Sequence, residues 1–233
     1  MSGEVLKGEH ESGICPDALS FYSGEVKRLT DAGIQVGLVI GGGNIVRGRE
    51  LAQTGIERTT ADQMGMLGTV INGLALQDAL ERMGIYTRLL SAITMREVAE
   101  PYIRRRAVRH LEKGRVVIFA AGTGSPLFST DTAAALRAIE ISADVFIKGT
   151  KVDGVFTADP ELEPEAQRYL QLTYQDALEK DLHILDGPAF ALCREHVMPI
   201  LICNITQSGR LLEVLRGTGP HTVVKDFTNS VLA

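Results

Sequence analysis

The sequence predicts an α/β protein in which a mostly parallel sheet is covered by helices on both faces. Its strand-like runs, such as IQVGLVI and RVVIFAA, are apolar along their whole length and do not alternate with polar residues, which is typical of strands buried on both faces. Helical segments separate most of these runs, and alternating strands and helices favour parallel pairing. A chain of 233 residues is long enough to form one sizeable domain or two small lobes with a well-buried core.

The first elements are predicted from their end signals and periodicity. A helix begins near Pro16 and ends at Gly33, because proline suits the first helical turn and glycine the position after the last. A β-branched strand follows at residues 34–40, and a second helix at residues 61–84. The apolar residues of that helix at helical spacing are Met64, Leu67, Ile71 and Leu74. The helix is apolar on more than one face, which predicts burial on two sides or a subunit interface.

The alternation continues to the end of the chain. Further strands are predicted at residues 86–91, 115–121, 143–149 and 199–205. Further helices are predicted at about residues 101–113, 131–141, 173–180 and 187–196. The longest irregular segment covers residues 150–167, and long loops in compact domains tend to be functional.

Composition argues against several classes of protein. The 24 basic and 29 acidic side chains give a net charge of -5, and there is no Trp, which argues against a general nucleic-acid binder. No apolar run approaches the ~18 residues of a membrane span, and the N-terminal residues lack the features of a signal peptide. Three widely spaced cysteines (Cys15, Cys193 and Cys203) and scattered histidines predict a cytoplasmic protein without disulfides or structural zinc.

One basic cluster, RRRAVRH, covers residues 104–110 and falls on a predicted helix. A solvated or subunit-contacting helix face explains such a cluster, and so does a patch that binds an anionic ligand. The sequence leaves both interpretations open.

Three predicted strands end in unusual sequences. GGGN and then Arg47 follow the first strand, GTGSPLFSTDTAA follows the strand at 115–121, and TKVDGVFTADP follows the strand at 143–149. Ligands of open parallel sheets bind at the carboxyl ends of the strands. The convergence of three such ends therefore predicts a ligand site.

The chemistry of these ends suits phosphate groups. Glycines let backbone N–H groups approach an anion, and Arg47 adds a cation that can hold phosphate oxygens with two hydrogen bonds. A tight strand-to-helix turn explains the glycines equally well, and the pattern matches neither GxGxxG nor GxxxxGK[ST]. The second end supplies hydroxyl donors before a helix that begins at about Asp131, although helix capping by Thr130 and Asp131 is an alternative.

The third end combines lysines with carboxylates. Lys148, Lys151, Asp153 and Asp159 fall within twelve positions of one another, and such a set would suit nucleotide phosphates together with a metal or a ribose. Ordinary surface turns explain VDGV and ADP about as well when each is read alone.

Four blocks of sequence together resemble the bacterial uridylate kinases (UMP kinases) of the amino-acid kinase superfamily. They are GIQVGLVIGGGNIVRG, DQMGMLGTVINGLALQDAL, AAGTGSPLFSTDTAAALRAIEI and IKGTKVDGVFTADP. The resemblance covers nearly the whole chain, with the blocks in the same order and at closely similar spacing. It implies a three-layer α/β/α sandwich and phosphoryl transfer from ATP to UMP in pyrimidine nucleotide biosynthesis. It also implies Mg²⁺, a homohexamer, activation by GTP and inhibition by UTP.

The resemblance also assigns roles by position. Within one domain it implies a UMP-binding part at about residues 1–142 and an ATP-binding part at about residues 143–233. The residues implied to bind UMP are Gly42, Asp62, Thr123, Gly124, Ser125, Pro126, Leu127, Phe128, Ser129 and Thr130. Those implied to bind ATP are Ser2, Gly3, Gly43, Arg47, Thr150, Phe156 and Asp159. Those implied to act in catalysis are Arg47, Asp131 and Lys148, and no side chain is implied as a metal ligand.

The sequence departs from the family at its start. Family members begin with a strand of the type xxLLKLSGE, whose lysine contacts the ATP phosphates, whereas this sequence starts MSGEVLKGE and Lys7 does not match by position. We expect either that the start is misassigned within a longer product or that a short form lacks the first strand and loses much of its kcat. We favour the first, because losing a central strand exposes apolar neighbours and unpaired backbone groups.

Other functions stay open at this point. The absent lysine supports a non-catalytic nucleotide-binding or sensing protein of the same fold. Kinases of amino acids or carbamate share the glycine turn but do not need the DQMGM block or the hydroxyl-rich loop. A dehydrogenase would need an acidic ribose-binding residue that the sequence does not offer at the expected place.

Overall fold

The computed structural model describes residues 1–47, 51, 55–160 and 162–233. Gly48, which ends the block GIQVGLVIGGGNIVRG, and Glu161 of the predicted irregular segment lie outside the described residues. The chain divides into two compact units, Met1–Arg137 and Ala138–Ala233. Each unit contains one sheet, and the predicted division into UMP-binding and ATP-binding parts stays a functional prediction.

The first unit has a fully parallel sheet. It opens with a 3₁₀ helix, Gly3–Lys7. Its helices are α1 (Pro16–Asp31), α2 (Arg58–Arg82), α3 (Arg104–Glu112) and α4 (Thr130–Glu140), of which α4 runs on past the boundary. Its strands are β1 (Gly37–Val39), β2 (Thr87–Ser91), β3 (Glu100–Pro101) and β4 (Val116–Ala120). The strand order is β1-β4-β2-β3, and each neighbouring pair is parallel.

The apolar runs form the centre of this unit. All five residues of β4 are buried between β1 and β2, and α2 packs against both β2 and β4. Proline at the start of α1 stands in the first turn as predicted. Burial of the strands on both faces explains why they lack polar alternation.

One face of α2 is exposed in the single chain. Leu76 and Leu80 are completely buried, whereas Leu67, Ile71 and Leu74 are 48%, 47% and 40% exposed. The predicted burial applies to the sides of the helix that pack against α1 and against the sheet, whereas this further face is exposed in the single chain. The alternative of a subunit interface stays a prediction, and we refer to Leu67, Ile71 and Leu74 as the α2 stripe.

The second unit has a mixed sheet. Its helices are α5 (Tyr174–Glu179), α6 (Gly187–Glu195) and α7 (Arg210–Leu215). Its strands are β5 (Phe146–Thr150), β6 (Tyr169–Thr173), β7 (Ile200–Asn204), β8 (Thr222–Lys225) and β9 (Val231–Leu232). The order is β5-β7-β8-β6-β9, with parallel pairing of β5 with β7 and β6 with β8, and antiparallel pairing of β7 with β8 and β6 with β9.

The predicted α/β class with mostly parallel pairing is confirmed, and every predicted strand and helix overlaps an observed one. The short or exposed elements were not predicted, namely the 3₁₀ helix, β3, β6, β8, β9 and α7. None of the described helices combines the length and the apolar character that crossing a membrane requires.

Candidate active site

The turn after β1, residues 41–47, packs against backbone and is called the glycine turn below. A Cβ on Gly42 would lie 2.4 Å from the carbonyl oxygen of Gly65 in α2. A Cβ on Gly3 would lie 2.4 Å from the carbonyl oxygen of Gly41. Because real Cβ atoms do not approach so closely, both positions require glycine. The backbone of the glycine turn thus packs directly against the backbone of α2 and of the 3₁₀ helix.

Successive N–H groups of the glycine turn are unpaired. Within the described part of the chain, the backbone N–H groups of Gly42, Gly43 and Asn44 donate to no protein acceptor. The Gly42 carbonyl, in contrast, accepts hydrogen bonds from the N–H groups of Ile45 and Val46, each at 2.9 Å. Gly42 is buried, and an unpaired buried N–H group needs a partner from outside the protein. Two successive free N–H groups form a binding place for an anion such as phosphate.

Arg47 ends the glycine turn and is paired with Glu4 of the 3₁₀ helix. Its Nε donates to Glu4 Oε1 at 2.9 Å, and its Nη2 lies 2.8 Å from Oε2. This hydrogen bond lowers the pKa of Glu4 despite opposing desolvation, and Lys7, 3.3 Å from the same carboxylate, adds to the effect. Both side chains are partly exposed, so solvent screens the pair. A phosphate group, which carries more negative charge than a carboxylate, can compete with Glu4 for Arg47.

The loop that joins β4 to α4, residues 121–129, has a strained backbone. Its residues with positive φ are Ala121 (60°), Gly122 (57°), Gly124 (87°) and Leu127 (72°). Non-glycine residues in this region persist only where their surroundings hold them. Asp62 of α2 provides one such hold, since its Oδ2 accepts a hydrogen bond from the Leu127 N–H at 3.0 Å, while Arg58 Nε lies 2.9 Å from its Oδ1.

Two further side chains hold the start of this loop. The Ala121 N–H donates to Thr69 Oγ1 at 2.7 Å, so α2 contacts this loop as well as the glycine turn. Arg137 donates to the Gly122 carbonyl at 3.2 Å and stacks over the Tyr102 ring at 3.9 Å. The conformation of the loop is therefore stabilised by side chains of the first unit.

The end of the loop starts α4. Ser129 Oγ accepts a hydrogen bond from the Thr132 N–H at 3.1 Å, so Ser129, which was not predicted as a cap, caps the helix. Thr130 points to the glycine turn instead, because its Oγ1 lies 3.3 Å from where a Cβ of Gly41 would be. Asp131 occupies the first turn of α4.

The other predicted UMP residues lie along the same loop. Thr123 Oγ1 donates to the Ser125 carbonyl at 3.1 Å and accepts from its N–H at 3.2 Å, so this hydroxyl shapes a local turn. A Cβ on Gly124 would lie 3.1 Å from the Ala92 carbonyl oxygen. Pro126 is half-buried, whereas Leu127 and Phe128 are 65% and 54% exposed. Exposed apolar side chains beside polar donors suit an organic ligand such as a nucleobase.

The first unit therefore brings together most of its predicted site residues. Gly42 and Gly43 are in the glycine turn with Arg47, Gly3 lies against Gly41, and Thr130 approaches the same turn. Ser2 caps the 3₁₀ helix, accepting a hydrogen bond from the Glu4 N–H at 3.3 Å. Asp62 lies at the opposite side of the loop, where it binds Leu127.

The second unit contains the remaining predicted residues. Lys148 and Thr150 are the third and last residues of β5, and Thr150 Oγ1 donates to the Val152 carbonyl at 2.7 Å. Phe156 pairs with Arg168 in an antiparallel bridge. Asp159 accepts main-chain hydrogen bonds at its carbonyl from Leu162 and Glu163, at 3.1 and 2.8 Å.

The segment after β5 is more regular than predicted. The Thr157 N–H donates to the Gln167 carbonyl, and the Tyr169 N–H donates to the Val155 carbonyl, at 2.9 and 2.8 Å. These bonds fold the predicted irregular segment back on itself toward β6. Among the described residues, no three or more His, Cys, Asp or Glu side chains group as a metal site would.

Several site residues were not identified from the sequence. They are Glu4, Asn44, Gly65, Thr69 and Asn72. Gly65 and Gly68 stand three residues apart within a helix, and this spacing could have indicated close backbone approach. An asparagine inside the apolar run TVINGLAL could have indicated a buried hydrogen bond, since buried polar groups are paired.

The chain is similar to known proteins over most of its length. The model of the amino acid kinase family matches residues 2–204. A uridylate kinase of Methylococcus capsulatus (strain ATCC 33009 / NCIMB 11132 / Bath) is 55% identical over 217 residues, which cover 93% of this chain and 91% of that protein.

Solved structures agree with the sequence similarity. A UMP kinase from Bacillus anthracis matches with a TM-score of 0.95 at 36% identity, covering 100% of this chain and 96% of that one. A UMP kinase from Ureaplasma parvum matches with a TM-score of 0.92 at 36% identity, covering 97% and 96%. The resemblance inferred from the four sequence blocks is confirmed, and the chain belongs to the uridylate kinases of the amino acid kinase family.

Proposed function

We propose that this protein is a UMP kinase, which transfers the γ-phosphoryl group of ATP to UMP and forms UDP for pyrimidine nucleotide synthesis. The observation that carries the proposal is the glycine turn, which presents the free N–H groups of Gly42 and Gly43 beside Arg47. The two solved structures that match this chain are UMP kinases by name, and the curated relative is a uridylate kinase. A non-catalytic nucleotide-binding protein is therefore not favoured.

The proposed reaction needs alignment and charge neutralisation more than covalent chemistry. An oxygen of the UMP phosphate attacks the γ-phosphorus, and the bond from that phosphorus to the bridging oxygen of ADP breaks. The free N–H groups of Gly42 and Gly43 would bind phosphate oxygens. Arg47 would exchange Glu4 for a phosphate. Mg·ATP is the donor substrate, and its Mg²⁺ neutralises phosphate charge as the transfer proceeds.

Other roles in the proposal rest on the resemblance. The 121–129 loop with Asp62 and Thr130 would bind UMP, and Asp131 and Lys148 would act at the transferred group. The remaining proposed contacts with ATP are Ser2, Gly3, Thr150, Phe156 and Asp159. For the UMP residues, the support from geometry is the hydrogen bond between Asp62 and Leu127 and the approach of Thr130 to the glycine turn.

Assembly and regulation also belong to the proposal. The α2 stripe exposes three large apolar side chains on one helix face, which supports a homo-oligomer because such faces are commonly covered by a partner. The hexameric state, activation by GTP, inhibition by UTP and a cytoplasmic location rest on the resemblance and on composition.

A coupled assay of ADP release tests the function. The protein is supplied with Mg·ATP and, in separate reactions, UMP, glutamate, aspartate or carbamate as acceptor. We expect ADP release that depends on UMP and forms UDP in equal amount. ADP release with an amino acid or carbamate and none with UMP would contradict the proposal.

A further inference from the structure

Two buried asparagines hold the glycine turn, and from them we infer a positioning residue for the reaction. Asn72 lies in α2 and is 0% exposed, and Asn44 lies in the glycine turn and is 1% exposed. Neither side chain can reach a ligand from that depth. The inference, which rests on the proposed function, is that Asn72 fixes the orientation of the peptide that presents the Gly42 N–H to phosphate.

The two amides bind each other and the backbone around them. Asn72 Nδ2 donates to Asn44 Oδ1 at 2.6 Å and to the Gly41 carbonyl at 2.8 Å. Asn44 Nδ2 donates to Asn72 Oδ1 at 3.0 Å and to the Gly13 carbonyl at 2.8 Å. Each amide nitrogen thus uses both of its hydrogens. We call this pair the amide clasp.

The clasp determines which way the next N–H group points. The Gly41 carbonyl and the Gly42 N–H belong to one trans peptide, in which the two groups point in opposite directions. Because the carbonyl is bound to Asn72, the Gly42 N–H is directed away from that side chain. The flanking residues are glycines, whose backbone adopts many conformations. Without the clasp, this peptide could turn over and present a carbonyl oxygen to the phosphate, which repels it.

The amides bind backbone as well as each other, because Asn72 donates to the Gly41 carbonyl and Asn44 donates to the Gly13 carbonyl. A pair of apolar side chains would fill the same space but would leave both carbonyls without these donors. The amide clasp is therefore best explained by the geometry that it gives to the glycine turn.

Two variants and one control separate positioning from packing. Asn72→Leu leaves Asn44 buried without its partner, and Asn44→Leu/Asn72→Leu removes both amides. The control, Thr87→Val, removes a buried hydroxyl that donates to the Ile85 carbonyl at 3.1 Å. Thr87 opens β2, at the end of the strand opposite to its carboxyl end.

The expected result is a separation of kcat from stability. Both variants should lower the melting temperature, because both remove the donor to the Gly41 carbonyl, so kcat is compared at a temperature at which both are folded. Both should lose kcat by about 100-fold, comparable to the loss of one transition-state donor, with KM for UMP changed by less than about threefold. Thr87→Val should keep the kcat of the parent. Amide exchange should speed up at Ile45 and Val46, which donate to the Gly42 carbonyl.

Two results would overturn the inference. One is a folded double variant with the parent kcat, which would reduce the amide clasp to packing. The other is unchanged exchange protection of the Ile45 and Val46 amides. If the parent protein forms no UDP, the proposed function fails, but the exchange measurement still decides whether the clasp orders the turn.

Discussion

The glycine turn and the 121–129 loop follow two neighbouring parallel strands, β1 and β4, yet they are held in different ways. The glycine turn has no room for a Cβ at Gly42 and is fixed from inside by buried amides. The 121–129 loop keeps its strained backbone through Asp62, Thr69 and Arg137, and it exposes Leu127 and Phe128.

The rigid glycine turn suits the binding of phosphate, and the more exposed 121–129 loop suits the recognition of a base. Phosphate groups are alike in every nucleotide, so a rigid set of N–H donors serves them all. A nucleobase is recognised by its shape and edge, which requires side chains with some freedom to adjust. The two regions thus divide the proposed acceptor site into a phosphate part and a base part. Loss of a phosphate-binding group should therefore lower kcat, and loss of a contact in the base part should raise KM for UMP.

The largest effect is expected for Gly42→Ala. The added Cβ would lie 2.4 Å from the Gly65 carbonyl oxygen, so the turn must move away from α2. We expect kcat to fall by more than about 1,000-fold or the protein to lose about 3 kcal/mol of stability or more, measured by ADP release and thermal unfolding. Gly24→Ala is the control, because nothing lies within 4 Å of its Cβ on α1. A kcat and a stability of Gly42→Ala equal to those of the parent would contradict the claim that position 42 has no space for a Cβ.

The next effect is expected for Arg47→Ala. Losing the cation should lower kcat by about 100-fold to 1,000-fold, and Arg47→Lys should recover part of it, because lysine keeps the charge but not the two-pronged hydrogen bonding. Steady-state kinetics with UMP and Mg·ATP measure the change. Arg82→Ala provides a comparison, since it removes an exposed ion pair with Asp78. A kcat of Arg47→Ala equal to that of Arg82→Ala would contradict a role for Arg47 in binding phosphate.

A smaller effect, on KM for UMP and not on kcat, is expected for Asp62→Asn. The carboxylate accepts a hydrogen bond from Leu127 and pairs with Arg58, and a neutral amide weakens both contacts. We expect KM for UMP to rise about tenfold, as for the loss of a charged hydrogen bond, with kcat within about threefold. The matched control is Asp78→Asn, in the same helix but paired on its surface. A loss confined to kcat would contradict the division into phosphate and base parts.

The smallest effect is expected for Glu4→Gln. Removing the carboxylate takes away one competitor of phosphate for Arg47, so KM for the nucleotides should fall about twofold to fivefold at low salt and less at high salt. The pKa of Glu4 is lowered in the folded state from 4.5, chiefly by the Arg47 hydrogen bond. The pair therefore adds stability above pH 4.5, and this contribution disappears as pH falls through the lowered pKa.

Thermal unfolding as a function of pH checks the second part of that prediction. Glu4→Gln should lack this contribution above pH 4.5 and converge with the parent in acid. If the variant instead weakens nucleotide binding several-fold, Glu4 orients Arg47 and does not compete with the phosphate.

The sequence predicted the framework of the site better than its contacts. The apolar runs of β4 and β7 and the glycine signals marked the strands and their functional ends, because burial and turns leave patterns that are local in the chain. The amide clasp joins residues 28 positions apart, and Leu127 meets Asp62 across 65 positions. Such pairs depend on how strands and helices pack, and periodicity contains no information on them.

The amide resonances of the glycine turn report whether phosphate binds its free N–H groups. The Gly42 and Gly43 N–H groups of the isotopically labelled protein are followed by NMR while UMP, or uridine as the phosphate-free control, is added. We expect large downfield shifts of one or both protons with UMP and no comparable shift with uridine. The phosphate of UMP supplies the hydrogen-bond acceptor that these N–H groups lack within the protein. Binding of UMP that shifts the 121–129 loop and leaves both glycine amides unchanged would contradict it.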